Sequence, residues 1–341
     1  MSKLCLLSST RYRNVCFFSS TYSLLLYLCY SSGDDIENTF FVFSETFPKD
    51  ISKNFRNSCF IPRRRDSGHF NLLEKWVVSK YYKLFCIPRI RRDTKIYCQD
   101  HTTMLKLLIG NHPYVLVAEN PIMEGIIKSY SPKERVLTCF KDKLNHFLLR
   151  KIIRTDYDKI WGFNKLCDAA ILADEGSIKY LTGKKIEIVD IYVSWEKKSN
   201  NEKNAIIDLF GITPPEVEVL RSKKIIIFTQ PFLEMMTLEE NINYMVKLIN
   251  KYPHDDIVIK VHPRDRIDYE KLFPDALICK LQVPSQLFDL LGVHFKLAAT
   301  YNSSAVYSMS YDIKIDWYGE EIKRYFYGGV PIPSNANLCR L

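Results

Sequence analysis

The chain has 341 residues, a length that suggests about two domains. Apolar residues make up 47% and charged residues 26%, which excludes global disorder, and the twelve glycines form no G-x-G pair, which excludes a glycine-rich dinucleotide loop and a Walker loop. The 48 Lys and Arg against 39 Asp and Glu leave a net charge of +9, which favours an anionic partner: a nucleotide, a phosphate-rich substrate, a membrane surface or nucleic acid.

The N-terminal part begins with an apolar run at 3–7 (KLCLL), read as the first strand. Residues 14–33 carry no charge and are numerous enough to span a bilayer. Ser19, Ser20, Thr21, Ser23, Ser31 and Ser32 interrupt them, and no small-residue cleavage site follows a compact apolar core. The reading is therefore a loop and then a helix over 20–30. Strands follow at 39–43 (TFFVF), 95–98 (KIYC), 114–118 (YVLVA), 169–173 (AAILA) and 185–193 (KIEIVDIYV). Further strands are predicted at 224–228 (KIIIF), 256–261 (DIVIKV) and 296–300 (KLAAT). Many are apolar on both faces, as in parallel strands covered by helices on each side. The alternation of strand and helix predicts doubly wound α/β sheets.

One helix is signalled sharply. Thr237 and Glu240 form a capping box, Leu238, Ile242, Met245 and Ile249 fall on one face, and Tyr252-Pro253 ends the element. Polar breaks at 195–204 and 212–217 place a linker over 196–221, between a first lobe at 1–195 and a second at 222–315. The tail 316–341, rich in Tyr and Pro, is expected to pack back on the first lobe. The ten cysteines show neither C-x-x-C nor zinc-ligand spacing and read as buried free thiols in a reducing compartment.

Two such lobes joined by a linker predict a central cleft, with ligands beyond the carboxyl ends of strands. His262-Pro263-Arg264-Asp265 follows one strand, flanked by Lys260. A histidine among cations suits a leaving phosphate, with imidazolium donating a proton, or else caps the next helix. Tyr301-Asn302-Ser303-Ser304 follows another strand and offers hydroxyls and backbone N–H groups to an anion, or a plain helix cap. Thr229-Gln230-Pro231 follows a third. In the first lobe, successive strands end in Gln99-Asp100-His101, in Glu119 with Glu124 nearby, and in Asp174-Glu175-Gly176. A carboxylate there can deprotonate a hydroxyl, or cap a helix. Asp156-Tyr157-Asp158 fits a metal-binding D-x-D triplet, but it follows a basic helix rather than a strand, and no metal is expected. Arg63-Arg64-Arg65 and Arg89, Arg91 and Arg92, with Trp76, Tyr81, Tyr82 and Phe85 nearby, suit single-stranded nucleic acid, a polymer substrate, a membrane surface or plain solvation.

The segments KKIIIFTQPF, VIKVHPRDRIDY, PSQLFDLL and ATYNSSAVYS, over 223–308, resemble in order and spacing glycosyltransferase family 52, bacterial sialyltransferases of lipooligosaccharides and capsules. IYCQDH at 96–101 extends the resemblance more loosely. It implies a GT-B-like fold of two Rossmann-type doubly wound lobes facing a central cleft. It also implies an inverting, metal-independent, cofactor-free transfer of N-acetylneuraminate from CMP-N-acetylneuraminate to a terminal galactose of a surface glycan. The family's histidine-proline motif falls on His262-Pro263, and its phosphate-binding hydroxyl pair falls on Ser303-Ser304. Lys260, Arg264, Thr229 and Gln230 would complete the donor side, with Gln99, Asp100 and His101 on the acceptor side. The family's acidic pair followed by glycine matches Asp174-Glu175-Gly176 by local motif, Glu119 by chain order and Glu124 as a third fit, so the general base stays open among them. The expected location is cytoplasmic, at the inner face of the membrane, with peripheral membrane association and no nucleic acid. A GT-B transferase of another nucleotide sugar and a non-catalytic basic binding protein are the alternatives.

Overall fold

The structure is a computed structural model that describes residues 12–62, 72–129, 160–232 and 236–325. The predicted strand at 3–7, Asp156-Tyr157-Asp158 and Arg63-Arg64-Arg65 lie outside the described residues. The chain divides into two units between Gly211 and Ile212.

The first unit is built on a seven-stranded sheet in the order β3-β2-β1-β4-β5-β6-β7. Its strands are β1 (Asn14–Phe18), β2 (Thr39–Phe43), β3 (Ser58–Phe60), β4 (Lys95–Cys98), β5 (Tyr114–Val117), β6 (Cys167–Leu172) and β7 (Lys185–Ile188). All neighbours pair in parallel. The centre is β1, in a stretch expected to be a loop. Its five residues NVCFF are all buried, because β2 and β4 flank it. The uncharged stretch 14–33 is thus a central strand followed by the Thr21–Tyr30 helix, and Ser20 caps that helix by accepting the Ser23 N–H.

The second unit holds a five-stranded parallel sheet in the order β10-β9-β8-β11-β12. Its strands are β8 (Ile225–Phe228), β9 (Ile257–Lys260), β10 (Leu277–Cys279), β11 (Leu297–Thr300) and β12 (Lys314–Trp317). The Leu238–Ile249 helix has the capping box of Thr237 and Glu240. Met245, Leu248 and Ile249 of this helix pack with Ile227, Ile257 and Ile259 of the sheet. Burying side chains of this size contributes about 1.5–3 kcal/mol each.

Two expectations are corrected, and the predicted linker proves helical. The run 185–193 is a strand only to Ile188; Asp190 then accepts the N–H groups of Tyr192 and Val193 and starts the Ile191–Glu196 helix. The stretch 196–221, predicted as the linker, holds the division between Gly211 and Ile212 and folds as two helices, Asn200–Phe210 and Pro214–Arg221, each opened by a capping box, with Gly211 in the left-handed region (φ 69°) between them. The described part of the tail belongs to the second unit: β12 pairs with β11, and Ile322 is buried in that unit's core. The seven described cysteines are unpaired. Among the described residues no helix is long and apolar enough to cross a membrane.

Candidate active site

A doubly wound sheet opens a crevice at the carboxyl ends of the two strands where its order reverses. In the first unit those strands are β1 and β4. Gln99, directly after β4, fills the crevice. Its Oε1 accepts the Ser19 N–H at 2.5 Å, the Ser19 hydroxyl at 2.8 Å and the Ser20 N–H at 3.2 Å. Gln99 is fully buried and ties two loops together. Its oxygen is thus committed to the Ser19–Ser20 loop, where the sequence suggested an acceptor contact.

Three carboxylates stand at the ends of the adjacent strands β4, β5 and β6, and their surroundings separate them. Asp100 is fully buried. It accepts the N–H groups of Trp161 (2.6 Å) and Gly162 (2.9 Å) and the Tyr114 hydroxyl (2.7 Å). Burial raises its pKa, opposed by these donors and by Lys106. Like Gln99, it is fully buried, with both oxygens engaged inside the unit. Asp174 accepts the Met123 N–H at 2.9 Å and the Ser177 N–H and hydroxyl at 3.1 and 2.7 Å. It is the cap of the Glu175–Tyr180 turn, and both its oxygens accept hydrogen bonds. Glu124 is paired with Lys179 at 2.5 Å.

Glu119 is different. It stands two residues beyond β5, half-buried, and burial pushes its pKa up to about 7. That value sits where a general base works best at neutral pH. Its main chain is held against the start of the Thr21–Tyr30 helix after β1, where Ser23 donates to the Ala118 carbonyl at 2.6 Å and the cap residue Ser20 reaches the Glu119 carbonyl at 3.5 Å. Glu119 is thus drawn toward the crevice, one strand closer than Asp174. Its Oε2 lies 3.7 Å from His101 Nδ1. Burial first, and then Lys106, lower the His101 pKa to about 4. The ring is neutral at pH 7, so the contact is no ion pair, and 3.7 Å is too long for a hydrogen bond.

Trp161 holds this histidine. The two rings stack with centroids 4.5 Å apart and planes 12° apart. Among the described residues Trp161 is the one non-glycine residue at positive φ (57°), and Gly162 follows at φ 85°. A Cβ on Gly162 would meet Leu181 at 3.0 Å and Leu116 at 3.3 Å, so the turn needs glycine on two counts. Trp161 is not among the site residues expected from the sequence. Its one local signal is the glycine that follows it, a residue favoured in turns.

In the second unit the order reverses between β8 and β11. Thr229 and Gln230 follow β8, and Asn302 and Ser303 follow β11. Gln230 Nε2 donates to the Asn302 carbonyl at 3.2 Å across the reversal. Thr300 Oγ1 donates to the Phe228 carbonyl at 3.1 Å and accepts the Ser303 N–H at 3.1 Å. Ser303 is buried and accepts the Ala305 N–H at 3.4 Å, while Ser304 is exposed. The chain then makes a single 3₁₀ turn, Ser304–Tyr307, too short for the helix dipole anticipated there.

His262 lies two residues beyond β9, half-buried. Its N–H donates to Thr229 Oγ1 at 2.9 Å, and its Nδ1 accepts the Arg264 N–H at 3.1 Å. With Nδ1 an acceptor, the ring proton sits on Nε2. Burial, then Arg264, lower its pKa, so the resting ring is neutral rather than the imidazolium anticipated. Asp265 fixes the loop, accepting the Ile267 N–H at 3.2 Å and the Tyr269 hydroxyl at 2.8 Å. Pro263 and Arg264 are exposed. Lys260 is turned elsewhere: its ammonium donates to the Leu281 carbonyl at 3.0 Å and lies 5.4 Å from the Phe288 ring centroid. Among the described residues no group of three or more His, Cys, Asp and Glu could hold a metal ion.

The model of glycosyltransferase family 52 matches residues 45–323. An uncharacterized protein of Haemophilus influenzae is 27% identical over 314 residues, covering 90% of this chain and 94% of its own. The GT-B domain of a Photobacterium damselae sialyltransferase superposes at a TM-score of 0.54 and 14% identity, covering 89% of each chain. A Photobacterium 2,6-sialyltransferase, crystallised with CMP and lactose, superposes at 0.54 and 10% identity, over 89% of this chain and 70% of its own. At such identities the likeness shows the fold, which is GT-B.

Proposed function

Because the chain belongs to glycosyltransferase family 52, we propose that it is a sialyltransferase, moving N-acetylneuraminate from CMP-N-acetylneuraminate to a terminal galactose of a bacterial surface glycan, capsule or lipooligosaccharide. The acceptor hydroxyl attacks the anomeric carbon, and the bond from that carbon to the phosphate oxygen breaks with inversion. Glu119 takes the hydroxyl proton. The Nε2–H of His262 donates to the departing phosphate, and Ser303, with the N–H groups around β11, receives the remaining charge. Held this way, the phosphate needs no divalent ion and no cofactor. The reaction is placed in the cytoplasm, where nucleotide sugars are available.

The observation that carries this reading is the fixed tautomer of His262. Arg264 N–H holds Nδ1 and Thr229 holds the main chain, so a single donor, Nε2–H, is left at the sheet's carboxyl end. The GT-B likeness to an enzyme crystallised with CMP and lactose supports the same class of donor and acceptor. The test is a donor panel of CMP-N-acetylneuraminate and UDP- and GDP-sugars against galactosides, with products identified by mass and linkage. Transfer from a UDP- or GDP-sugar alone would replace this reading with a GT-B transferase of another donor.

A further inference from the structure

A carboxylate, two hydroxyls and one main-chain N–H form a single file behind His262. Asp265 Oδ2 accepts the Tyr269 hydroxyl at 2.8 Å. The Tyr269 hydroxyl is also bonded to the Thr229 side chain. Thr229 Oγ1 in turn accepts the His262 N–H at 2.9 Å. Thr229 and Tyr269 are buried, where a hydrogen bond is stronger than in water and neighbouring bonds polarise one another.

The protons available give the file one direction. A carboxylate only accepts, and a hydroxyl has one proton to give. Tyr269 gives its proton to Asp265, so its oxygen accepts from Thr229. The Thr229 proton goes to Tyr269, which leaves the Thr229 lone pairs for the His262 N–H, a group that can only donate. Burial first, and then Asp265, raise the Tyr269 pKa, so the phenol keeps the proton on which this order depends. Asp265 is not a helix cap: Asp268 fills that place for the Tyr269–Leu272 helix, accepting the Lys271 N–H at 3.3 Å. The other oxygen of Asp265 accepts the Ile267 N–H at 3.2 Å, and its main-chain N–H donates to the His262 carbonyl at 2.9 Å. All of these bonds close on the loop that carries His262.

We propose that Asp265 and Tyr269 are positioning residues for His262: the carboxylate orients both hydroxyls, and the file fixes the main chain from which the imidazole reaches the phosphate. Thr229 then has no proton left for a phosphate, and it serves His262 rather than the donor it was expected to hold. The assignment rests on the reading that His262 acts on the departing phosphate.

The experiment pairs amide hydrogen exchange with steady-state kinetics in Tyr269→Phe, Asp265→Ala, Thr229→Val and Tyr269→Phe/Thr229→Val. Tyr269→Phe keeps the ring in the core and removes one hydroxyl. The His262 amide should exchange about five- to tenfold faster in each variant, as for the loss of one hydrogen bond. The amides of Ile227 and Ile259, inside β8 and β9, should keep their wild-type rates. Tyr269→Phe and Asp265→Ala break the file at different residues, so an unstable variant leaves the other to decide. Tyr269→Phe should raise the donor KM by about the same factor as Thr229→Val, with the acceptor KM unmoved. The double variant should lose no more than Thr229→Val alone, because links in series fail together. Equal acceleration of all three amides, additive losses in the double variant, or an unmoved His262 amide in Tyr269→Phe and Asp265→Ala overturns the proposal. Exchange is read without substrate. Transfer from another nucleotide sugar would therefore overturn the donor reading and leave this proposal to the His262 amide.

Discussion

Asp100 accepts the backbone N–H of Trp161 at 2.6 Å, and through that bond a buried carboxylate determines where a histidine ring lies. The bond holds Trp161 at positive φ, a conformation that costs a non-glycine residue about 1–2 kcal/mol, and the indole is thereby laid on His101. Lys106 and Glu119 are charged groups that bear on that ring. Removing the indole should let water reach it. In Trp161→Ala the His101 titration, followed by NMR, should rise from about 4 by a unit or more, while Trp161→Phe should leave it low. An unmoved titration in Trp161→Ala would show that the burial of His101 comes from elsewhere.

Glu119 should set the acidic limb of the pH–rate profile. Its carboxylate is the active form, so kcat/KM should fall as pH drops below about 7, and Glu119→Gln should lose about 10²–10⁴ in turnover. Stability gives a second readout. A folded pKa raised above the ordinary 4.5 makes ionised Glu119 a cost that grows as pH rises from about 4.5 to about 7. Glu119→Gln should therefore match the wild type in stability near pH 4 and exceed it at pH 8, by about 2–3 kcal/mol. A flat difference between the two pH values would contradict the burial of this carboxylate.

Asp174→Asn should behave as the loss of a cap. Its three accepted hydrogen bonds predict a destabilisation of about 0.5–2 kcal/mol by denaturant melt, with kcat close to wild type. A collapse of kcat in a well-folded Asp174→Asn would return the base to β6.

His262→Ala should lower turnover by about 10²–10⁴ with the fold intact, because the ring is half-buried and accepts a bond from the Arg264 loop N–H. Thr229→Val removes the oxygen that accepts the His262 N–H, and should raise the donor KM while the acceptor KM stays put. Equal effects on both substrates would place His262 away from the donor.

The two serines should separate. Ser303 is buried beside β11 and Ser304 is exposed, so Ser303→Ala should raise the donor KM more than Ser304→Ala. Activity should survive excess EDTA; loss restored by Mn²⁺ would bring Asp156 and Asp158 into the reaction as metal ligands.

The sequence by itself determined the fold class and most of the strands. Runs such as TFFVF and IIIF are apolar on both faces, and that pattern is local. The Thr237–Glu240 capping box was legible for the same reason, since its partners are three residues apart. It also placed His262, Ser303 and the three carboxylates at strand ends. It missed β1, because Asn14–Phe18 reads as strand only when β2 and β4 lie on both sides of it. Tertiary structure alone separated the carboxylates. Asp100 is engaged by residues fourteen and about sixty positions away, Asp174 by Met123 as well as its own turn, and Glu119 by burial. A carboxylate's pKa follows its desolvation and the donors that reach it, and those come from distant chain segments that no local spacing encodes.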